Sequence, residues 1–388
     1  MQQGNNLKTF FDLVKVGLWE DCEKFTVYGL QGTGNVDWDE VYQLAEEQSV
    51  VGLVAAGIEH IHDVRVPQEV VLQFVGMALQ IEQRNIRMNT FVAQLIEKLR
   101  KEDVYAILVK GQGVAQCYER PLWRSSGDVD LFLSDTNYQR ASIVLKEIAS
   151  FVDEEAPYSK HHAMTIDGWS VELHGTLRGA IKRIDHVVDE VQAAVFCNGN
   201  VRAWQNGNTQ IFLPGPNEDV FLTFTHILQH FYITGIGLRQ ICDWCRLLYI
   251  YKKALNYRLL EAWIHKAGIM KEWKAFGAFA VVYLGASIGT IPFLDVSGNK
   301  KNAMIDKRLE RKADKICEFV LESGNFGHNR NFTYKQKYHF IIRYTISFWL
   351  YTKSAVQRFT ISPINAVMAW WAILKLGTSA AAKAISST

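Results

Sequence analysis

The spacing of apolar residues changes near residue 104, and this change limits the chain to folds that join a long helix to a small sheet. From Pro67 to Arg100 the apolar residues repeat at helical spacing. The clearest stripe, at i, i+3, i+4 and i+7, consists of Val92, Leu95, Ile96 and Leu99. Residues 104–111 (VYAILVKG) are instead a short, largely apolar run that ends at glycine, which predicts a buried strand. We therefore expect a strand to follow the helix directly.

Further strands are predicted over the next hundred residues. Residues 128–133 (DVDLFL) predict a second strand, and residues 136–150 a helix. Residues 161–166 and 169–177 predict a hairpin, because the Asp167-Gly168 pair between them is a two-residue turn signal. Residues 209–216 predict a last short strand that the closing Pro-Gly-Pro ends.

Helical patterns lie on both sides of this strand-bearing region. Asp37 precedes an apolar-periodic segment and has Glu40 three residues later, an aspartate variant of the capping box. From Asn217 onward the pattern is helical again. We therefore expect an α+β protein with a small mixed β-sheet core between two helical regions. The expected divisions are an N-terminal helical region (1–90), the core (91–216) and a C-terminal helical domain (217–388).

Composition narrows the class of partner and the compartment. The 388 residues carry a net charge of +2, so no strong polyelectrolyte partner such as nucleic acid is expected. Six cysteines in this length favour reduced thiols and a cytoplasmic location.

No apolar run reaches the roughly 18–20 residues of a membrane span. The nearest candidate is residues 364–377, for which a core helix is expected and a weak peripheral membrane association stays open.

Two acids stand at alternate positions of the second predicted strand. Asp128 and Asp130 would point to the same face, about 7 Å apart, because side chains alternate along a strand. Burying two neighbouring negative charges is costly unless a cation lies between them. Carboxylate oxygens of this kind suit Mg²⁺ or Mn²⁺. The alternative is that residues 125–128 (SSGD) form an ordinary loop that Asp128 caps.

A glycine-containing turn follows the first predicted strand. Lys110 is followed by Gly111, Gln112 and Gly113. Glycines let backbone N–H groups approach a phosphate closely, and the lysine adds positive charge. The same sequence is also compatible with ordinary turn chemistry.

A third acid lies on the predicted hairpin. Glu172 stands between Val171 and Leu173, so it faces away from both apolar neighbours. Placed beside Asp128 and Asp130, it would complete a cluster of three carboxylates. Such a cluster can hold two divalent ions and support in-line displacement at phosphorus. The alternative is a solvated acid on the polar face of the hairpin.

Several other polar residues are candidates to line a cleft. His226 and His230 are one helical turn apart. Arg239 and Asp243 share a helical face, where either a local ion pair or a place in the cleft is expected. His174 shares the strand face of Glu172. Of the two adjacent histidines that start the hairpin, His162 is the candidate retained for the cleft.

The two cysteines of the motif CDWC fall on an apolar stripe, which predicts core packing rather than a zinc site.

Taken together, these residues resemble the DNA polymerase β-type nucleotidyltransferase superfamily, and within it the uncharacterised bacterial nucleotidyltransferase family proteins. The superfamily pattern is a strand, a small-residue turn, two acids spaced i, i+2 on the next strand, and a third acid on a later strand. The matching positions are Gly111, Gly113, Asp128, Asp130 and Glu172. The bacterial group adds Lys110, Arg124, His161 or His162, His174, His226, His230, Arg239 and Asp243. The resemblance covers about residues 35–250, with Gln112 and a glutamate as the third acid as departures.

The resemblance implies a function and a role for each matching residue. A nucleoside monophosphate, with AMP as the expected one, would pass from a nucleoside triphosphate to a hydroxyl of a small molecule or protein. Asp128, Asp130 and Glu172 would be catalytic and would hold Mg²⁺ or Mn²⁺, with two ions expected. Residues 110–113 and Arg124 would bind the nucleotide, and Arg124 would neutralise charge as pyrophosphate leaves. The alternatives are a catalytically weak nucleotide-binding or regulatory relative, and a helical interaction protein without nucleotide chemistry.

Overall fold

The N-terminal part of the chain is helical. The computed structural model describes residues 2–20, 36–61, 66–153, 160–179, 181–297 and 304–324, and parts of 346–374. Its first helices are α1 (Gln2–Trp19), α2 (Trp38–Glu47), α3 (Val51–Glu59) and α4 (Gln68–Lys101). The Asp37 side chain accepts hydrogen bonds from the backbone N–H groups of Asp39 and Glu40, which confirms the predicted N-cap of α2.

The central region carries the main sheet. Its strands are β1 (Ile107–Val109), β2 (Val129–Phe132), β3 (Phe151–Val152), β4 (His161–Ile166), β5 (Trp169–His174), β6 (Val201–Asn206) and β7 (Thr209–Pro214). The helices among them are α5 (Gly111–Ala115), α6 (Asp135–Lys146) and α7 (Asp185–Phe196). A 3₁₀ turn covers Pro121–Trp123.

Helices follow the sheet, as expected from the pattern after residue 217. They are α8 (Pro216–Ile233), α9 (Leu238–Tyr251), α10 (Tyr257–Ala267), α11 (Met270–Leu284) and α12 (Lys307–Ser323). A two-stranded ribbon, β8 (Val296–Ser297) with β9 (Met304–Ile305), precedes α12. Of the 364–377 candidate, residues 364–371 and 374 are described, and they are helical. No helix among the described residues is long and apolar enough to cross a membrane.

The main sheet has seven strands in the order β3-β4-β5-β2-β1-β7-β6. The pairs β2–β5 and β1–β7 are parallel, and the other neighbours are antiparallel. The predicted α+β class, with a mixed sheet between helical regions, is therefore confirmed. In register, Asp130 lies opposite Val109 on one side and Glu172 on the other. The middle of the sheet thus carries two of the predicted acids side by side.

The edge strands β3 and β6 were not predicted from the sequence. Both lie at an edge of the sheet, and the residues of β6 are exposed or half-buried along its whole length. An edge strand with one solvated face needs few apolar residues, so it lacks the alternation that marks a strand in sequence. β6 pairs with β7 across a two-residue turn in which Gly207 has a positive φ of 58°.

The helices before and after the sheet share one hydrophobic core. Its buried members come from α1 to α4 and from α8 to α12, with further members on α5 and α7. The ring of Phe11 on α1 lies 5.1 Å from that of Tyr283 on α11, and Trp19 donates a hydrogen bond to the carbonyl of Leu284. A second core fills the space between α4, α6 and the sheet. The division at residues 90 and 216 stays a prediction, and α4 runs unbroken through residue 90.

Glycines allow α1 and α3 to pack closely, which gives a test of the shared core. A Cβ added at Gly57 would lie 2.2 Å from the carbonyl oxygen of Leu13, whereas one added at Gly76 on α4 would meet nothing within 4 Å. We expect Gly57→Ala to lower the free energy of unfolding by about 1–3 kcal/mol through overpacking. Gly76→Ala serves as the control and is expected to raise it by about 0.5–1 kcal/mol through helix propensity. Urea unfolding measures both, and equal midpoints would contradict this account of the packing.

Candidate active site

The three predicted acids lie together at the centre of the sheet. Asp130 on β2 and Glu172 on β5 are direct neighbours in the parallel ladder, so their side chains share a face. Asp128 precedes β2 in the irregular segment 125–128, which agrees with the alternative that these residues form a loop. Its carboxylate nevertheless lies beside those of Asp130 and Glu172. One oxygen from each residue lies within 4.8 Å of the others. The structure therefore brings together the carboxylates that the sequence placed on separate strands.

Lys110 faces this acid cluster from the end of β1. Its Nζ lies 2.8 Å from Oδ1 of Asp130, and Asp130 is only 2% exposed. The Lys110 backbone has φ 56° and ψ −145°, a region that suits glycine and costs other residues about 1–3 kcal/mol. Gly111 follows with φ 36°. Surrounding structure thus holds a strained turn that points the ammonium group at the acids.

Gln112 turns away from the acid cluster. Its Nε2 donates to Oδ1 of Asn85 on α4 at 2.8 Å and contacts Sδ of Met88 at 3.3 Å. Asn85 in turn donates to the carbonyls of Leu122 and Arg124 at 2.7 and 2.8 Å. The Gln112 side chain therefore fastens α5 to α4, and nucleotide binding by this residue stays a prediction.

Gly113 has a packing role in the structure. A Cβ at this position would lie 2.9 Å from Cδ2 of Leu213 on β7. The glycine therefore lets α5 lie against the sheet. Of the four residues predicted to bind nucleotide in this turn, Lys110 and Gly111 line the cavity beside the acids, and the other two hold the turn in place.

Two histidines flank Glu172 from neighbouring strands. His161 on β4 and His174 on β5 are directly opposite each other in the antiparallel ladder. Nε2 of His161 lies 3.0 Å from Oε2 of Glu172, and Nε2 of His174 lies 3.5 Å from the same oxygen. His174 also hydrogen bonds Oδ1 of Asp130 at 2.7 Å.

His162 lies on the other face of the sheet. Its ring nitrogens meet Oγ of Ser142 at 3.2 Å and the carbonyl of Asp153 at 3.1 Å, and the side chain is buried. The prediction that His162 lines the cleft is wrong, and His161 takes that place because adjacent strand residues face opposite ways. The Asp167-Gly168 turn is the sequence signal that could have identified His161 as the cleft residue. A two-residue hairpin turn fixes the register and so puts residue 161 opposite residue 174.

Charge is unevenly balanced within the cluster. Burial lowers the pKa of Lys110, but the negative charge of Asp130 more than offsets this, so the pKa lies above its ordinary value. Burial raises the pKa of Asp130, yet Lys110 and His174 hold it well below the usual range of aspartate. Burial and the charges of Asp130 and Glu172 raise the pKa of Asp128. Lys110 thus compensates the charge of Asp130, whereas Asp128 lies close to two other negatively charged carboxylates.

Hydrogen bonding and burial set the state of the histidines. The hydrogen bond with His161 lowers the pKa of Glu172, and the same bond raises the pKa of His161. Burial lowers the pKa of His174, so a neutral ring donates its Nε2–H to Asp130. Burial and the nearby Lys110 charge lower the pKa of His230 to about 4, and that of His226 falls well below its ordinary value. The two His rings on α8 lie 4.3 Å apart and are neutral at pH 7.

Arg124 is held in a buried ion pair. Its Nε and Nη2 donate to the two carboxylate oxygens of Asp243 at 2.7 and 2.6 Å, and Nη1 donates to Oγ of Ser126 at 2.9 Å. Tyr118 adds a hydrogen bond to Asp243 at 2.8 Å. The predicted neutralisation of leaving pyrophosphate by Arg124 would compete with Asp243. The pair's observed effect is to fasten the segment before β2 to α9.

Arg239 lies beside that pair and extends the same wall. Its Nη1 donates to the carbonyl of Ser125 at 2.7 Å. Burial and the neighbouring Arg124 charge lower the pKa of Arg239 to about 10, so its guanidinium is still charged at pH 7. A positive group therefore borders the cavity next to Asp128.

Two adjoining cavities meet at the acid cluster. The first, of about 320 Å³, is bordered by residues that include Gly111, Asp128, Asp130 and Arg239. The second, of about 350 Å³, is bordered by residues that include His161, His174, Thr176 and Gln229. Their common wall consists of Lys110, Glu172, Thr223, His226 and His230. Thr176, Thr223 and Gln229 were not predicted, because isolated polar residues carry no spacing signal.

The two cysteines of the CDWC motif lie in the helical core. Cys242 and Cys245 are buried free thiols on α9, and burial raises the pKa of each. Within the described ranges, neither belongs to a group of side chains spaced to hold a metal ion. The predicted packing role fits this placement.

The centre of the molecule thus combines a mixed sheet, three clustered acids and two cavities that meet at those acids. A family model described as "Uncharacterised nucleotidyltransferase" matches residues 34–284. The match spans more than half of the 388 residues, and the chain belongs to this family. No curated protein and no solved structure matches it.

The uneven charge balance predicts opposite effects for two similar substitutions. Without metal, Asp128→Asn is expected to raise the melting temperature at pH 7, because the folded state raises the pKa of Asp128 and so disfavours its charge. Asp130→Asn is expected to lower the free energy of unfolding by roughly 2–3 kcal/mol, since a charge-assisted bond to Lys110 is lost. Thermal unfolding in EDTA measures both, and shifts of the same sign would contradict the charge assignment.

The Arg124–Asp243 pair predicts a stability effect away from the acids. Asp243→Asn leaves the buried guanidinium without its counter-charge and is expected to cost about 3–5 kcal/mol. The matched control is Asp189→Asn, whose exposed pair with Arg178 is worth at most about 1 kcal/mol. Denaturant unfolding distinguishes them, and a loss at Asp243 no larger than the loss at Asp189 would refute the structural role.

Proposed function

We propose that the protein transfers a nucleoside monophosphate, with AMP as the expected group, from a nucleoside triphosphate to a hydroxyl of a small molecule or protein. The observation that carries this proposal is the cluster of Asp128, Asp130 and Glu172 within 4.8 Å in a chain of the nucleotidyltransferase family. The likeness to the DNA polymerase β-type superfamily, and to its bacterial members, is part of the same proposal. We propose the cytoplasm as its location and no nucleic acid partner, on the cysteine usage and the small net charge.

The donor set fits hard divalent cations. Three carboxylates face one lysine, so the cluster carries excess negative charge. Burial, and then the charges of Asp130 and Glu172, raise the pKa of Asp128. Carboxylate oxygens at this spacing suit Mg²⁺ or Mn²⁺. Asp128 and Asp130 would hold one ion and Glu172 would help to hold a second. When bound, such ions polarise the α-phosphate and orient the triphosphate for in-line displacement.

The two cavities provide separate places for the two reactants. We assign the triphosphate to the first cavity, where Lys110 and Arg239 supply positive charge near Asp128. We assign the acceptor to the second cavity, on the His161 side of Glu172. Reactants placed in this way approach each other across the acid cluster, as a displacement at the α-phosphate requires.

Glu172 is the proposed proton acceptor in the transfer. The acceptor hydroxyl would give its proton to the Glu172 carboxylate while its oxygen forms a bond to the α-phosphorus. The bond between the α-phosphorus and the bridging oxygen breaks, and pyrophosphate leaves with the bonding electrons. His161 is hydrogen bonded to Glu172 and would keep the carboxylate oriented toward the acceptor.

A nucleotide-binding protein without transfer is the second candidate function. It is favoured by one observation: both carboxylate oxygens of Asp243 occupy the Arg124 fork that the resemblance assigns to the leaving pyrophosphate. Such a protein would bind the metal–nucleotide complex in the first cavity and release no pyrophosphate.

Nucleotide binding is the first test. We expect the protein to bind a non-hydrolysable ATP analogue in the presence of Mg²⁺, with heat measurable by titration calorimetry. The Asp128→Asn/Asp130→Asn double variant is expected to lose this binding because the metal ligands are gone. Asp135→Asn is the control, since Asp135 is an exposed acid paired only with Lys160 among the described contacts. Equal binding by the double variant would refute the assignment of the acids.

Label transfer separates the candidate functions. With ATP labelled at the α-phosphate and a low-molecular-mass cell extract, a nucleotidyltransferase moves the label to a new product, while γ-label leaves as pyrophosphate. Binding without either event would support the second candidate. Absence of nucleotide binding in the unaltered protein would instead support a helical interaction protein.

A further inference from the structure

A second group of potential metal ligands lies beside the three acids. His161, Glu172 and His174 each offer an atom, and these atoms lie within 4.8 Å of one another. Glu172 belongs to both groups, while Asp128 belongs only to the first. The second group differs in chemistry because two of its three donors are imidazole nitrogens.

The geometry of this group is convergent. Nε2 of His161 and Nε2 of His174 both approach the same oxygen of Glu172, at 3.0 and 3.5 Å. The two rings are 4.9 Å apart, and the strands that carry them are hydrogen bonded in direct register. Neighbouring strands of a sheet hold such side chains more firmly than a loop does. The three donors therefore surround one point at the wall of the second cavity.

We propose that His161, Glu172 and His174 form a second metal site that takes a first-row transition ion of the Zn²⁺ class rather than Mg²⁺. Imidazole suits Zn²⁺ and its neighbours, whereas Mg²⁺ prefers oxygen ligands and retains water. Two histidines and one carboxylate are also a donor set in which zinc keeps an open position. The second cavity gives that position access to a ligand.

His174 can serve this site without changing its charge. Its Nε2 lies 2.7 Å from Oδ1 of Asp130, and a neutral imidazole carries its one proton on either ring nitrogen. With the proton carried on Nδ1 instead, Nε2 presents a lone pair toward Glu172. Asp130 keeps Lys110 as its partner at 2.8 Å, so the change leaves no buried charge unpaired.

Visible absorption of Co²⁺ tests the site independently of nucleotide. Co²⁺ in a low-coordinate site with nitrogen ligands absorbs far more strongly than Co²⁺ surrounded by six oxygens. The full chain, freed of metal with EDTA, is titrated with Co²⁺ in excess Mg²⁺, which occupies oxygen-only sites. We expect an intense visible band that one equivalent of Zn²⁺ abolishes.

Variants assign the band to the residues. His161→Ala removes a half-exposed ligand and is expected to weaken Co²⁺ binding roughly 100-fold or more. Mutation of a residue that only hydrogen bonds a metal ligand already lowers metal affinity by about 10–100-fold. Asp128→Asn and His186→Ala are expected to keep the band, because Asp128 lies outside the group and His186 is an exposed histidine on α7. Circular dichroism checks that each variant is folded.

The outcomes decide the proposal in either direction. A band that His161→Ala removes and Asp128→Asn retains supports the mixed site. Absence of a band, a band unchanged in His161→Ala, or a band lost equally in His186→Ala would overturn it and leave the histidines as hydrogen-bond partners of Glu172. The readout uses no nucleotide, so failure of nucleotidyl transfer and failure of this site are observed separately.

Discussion

The ion pair between Lys110 and Asp130 is the interaction on which the centre of the molecule depends. A carboxylate in the middle of a seven-stranded sheet is out of contact with water, and only a close cation lets it stay charged there. The chain accepts a strained backbone at Lys110 to place that cation. With Asp130 satisfied, Asp128 and Glu172 keep their oxygens turned toward the cavities, where an incoming cation can meet them.

Contacts from helices outside the sheet complete the walls of the site. Asp243 on α9 holds Arg124, and Arg239 on the same helix holds the carbonyl of Ser125. From the other side, Asn85 on α4 binds both Gln112 and the carbonyl of Arg124. The segments that precede β2 and follow β1 are thus fixed by residues far away in sequence. The acids therefore lie on or next to strands of the sheet, and the helices position the segments that border the cavities around them.

The sequence was most informative where spacing alone decides geometry. Alternation along β2 and β5 placed Asp130 and Glu172 correctly, and apolar periodicity located α4, α8 and α9. Spacing alone did not show which of two neighbours a side chain contacts. Gln112 turned to α4 and His162 to Ser142, because helix packing and strand parity, rather than residue type, decided their direction. The partner of Arg124 lies 119 residues along the chain, a distance at which a single sequence gives no pairing signal.

The core shared by the first and last helices affects how the molecule loses its structure. Since α1 rests on α11 and Gln48 after α2 bonds to Val320 on α12, neither helical region has a complete hydrophobic interior without the other. We therefore expect the two helical regions to lose their structure together, as one cooperative unit.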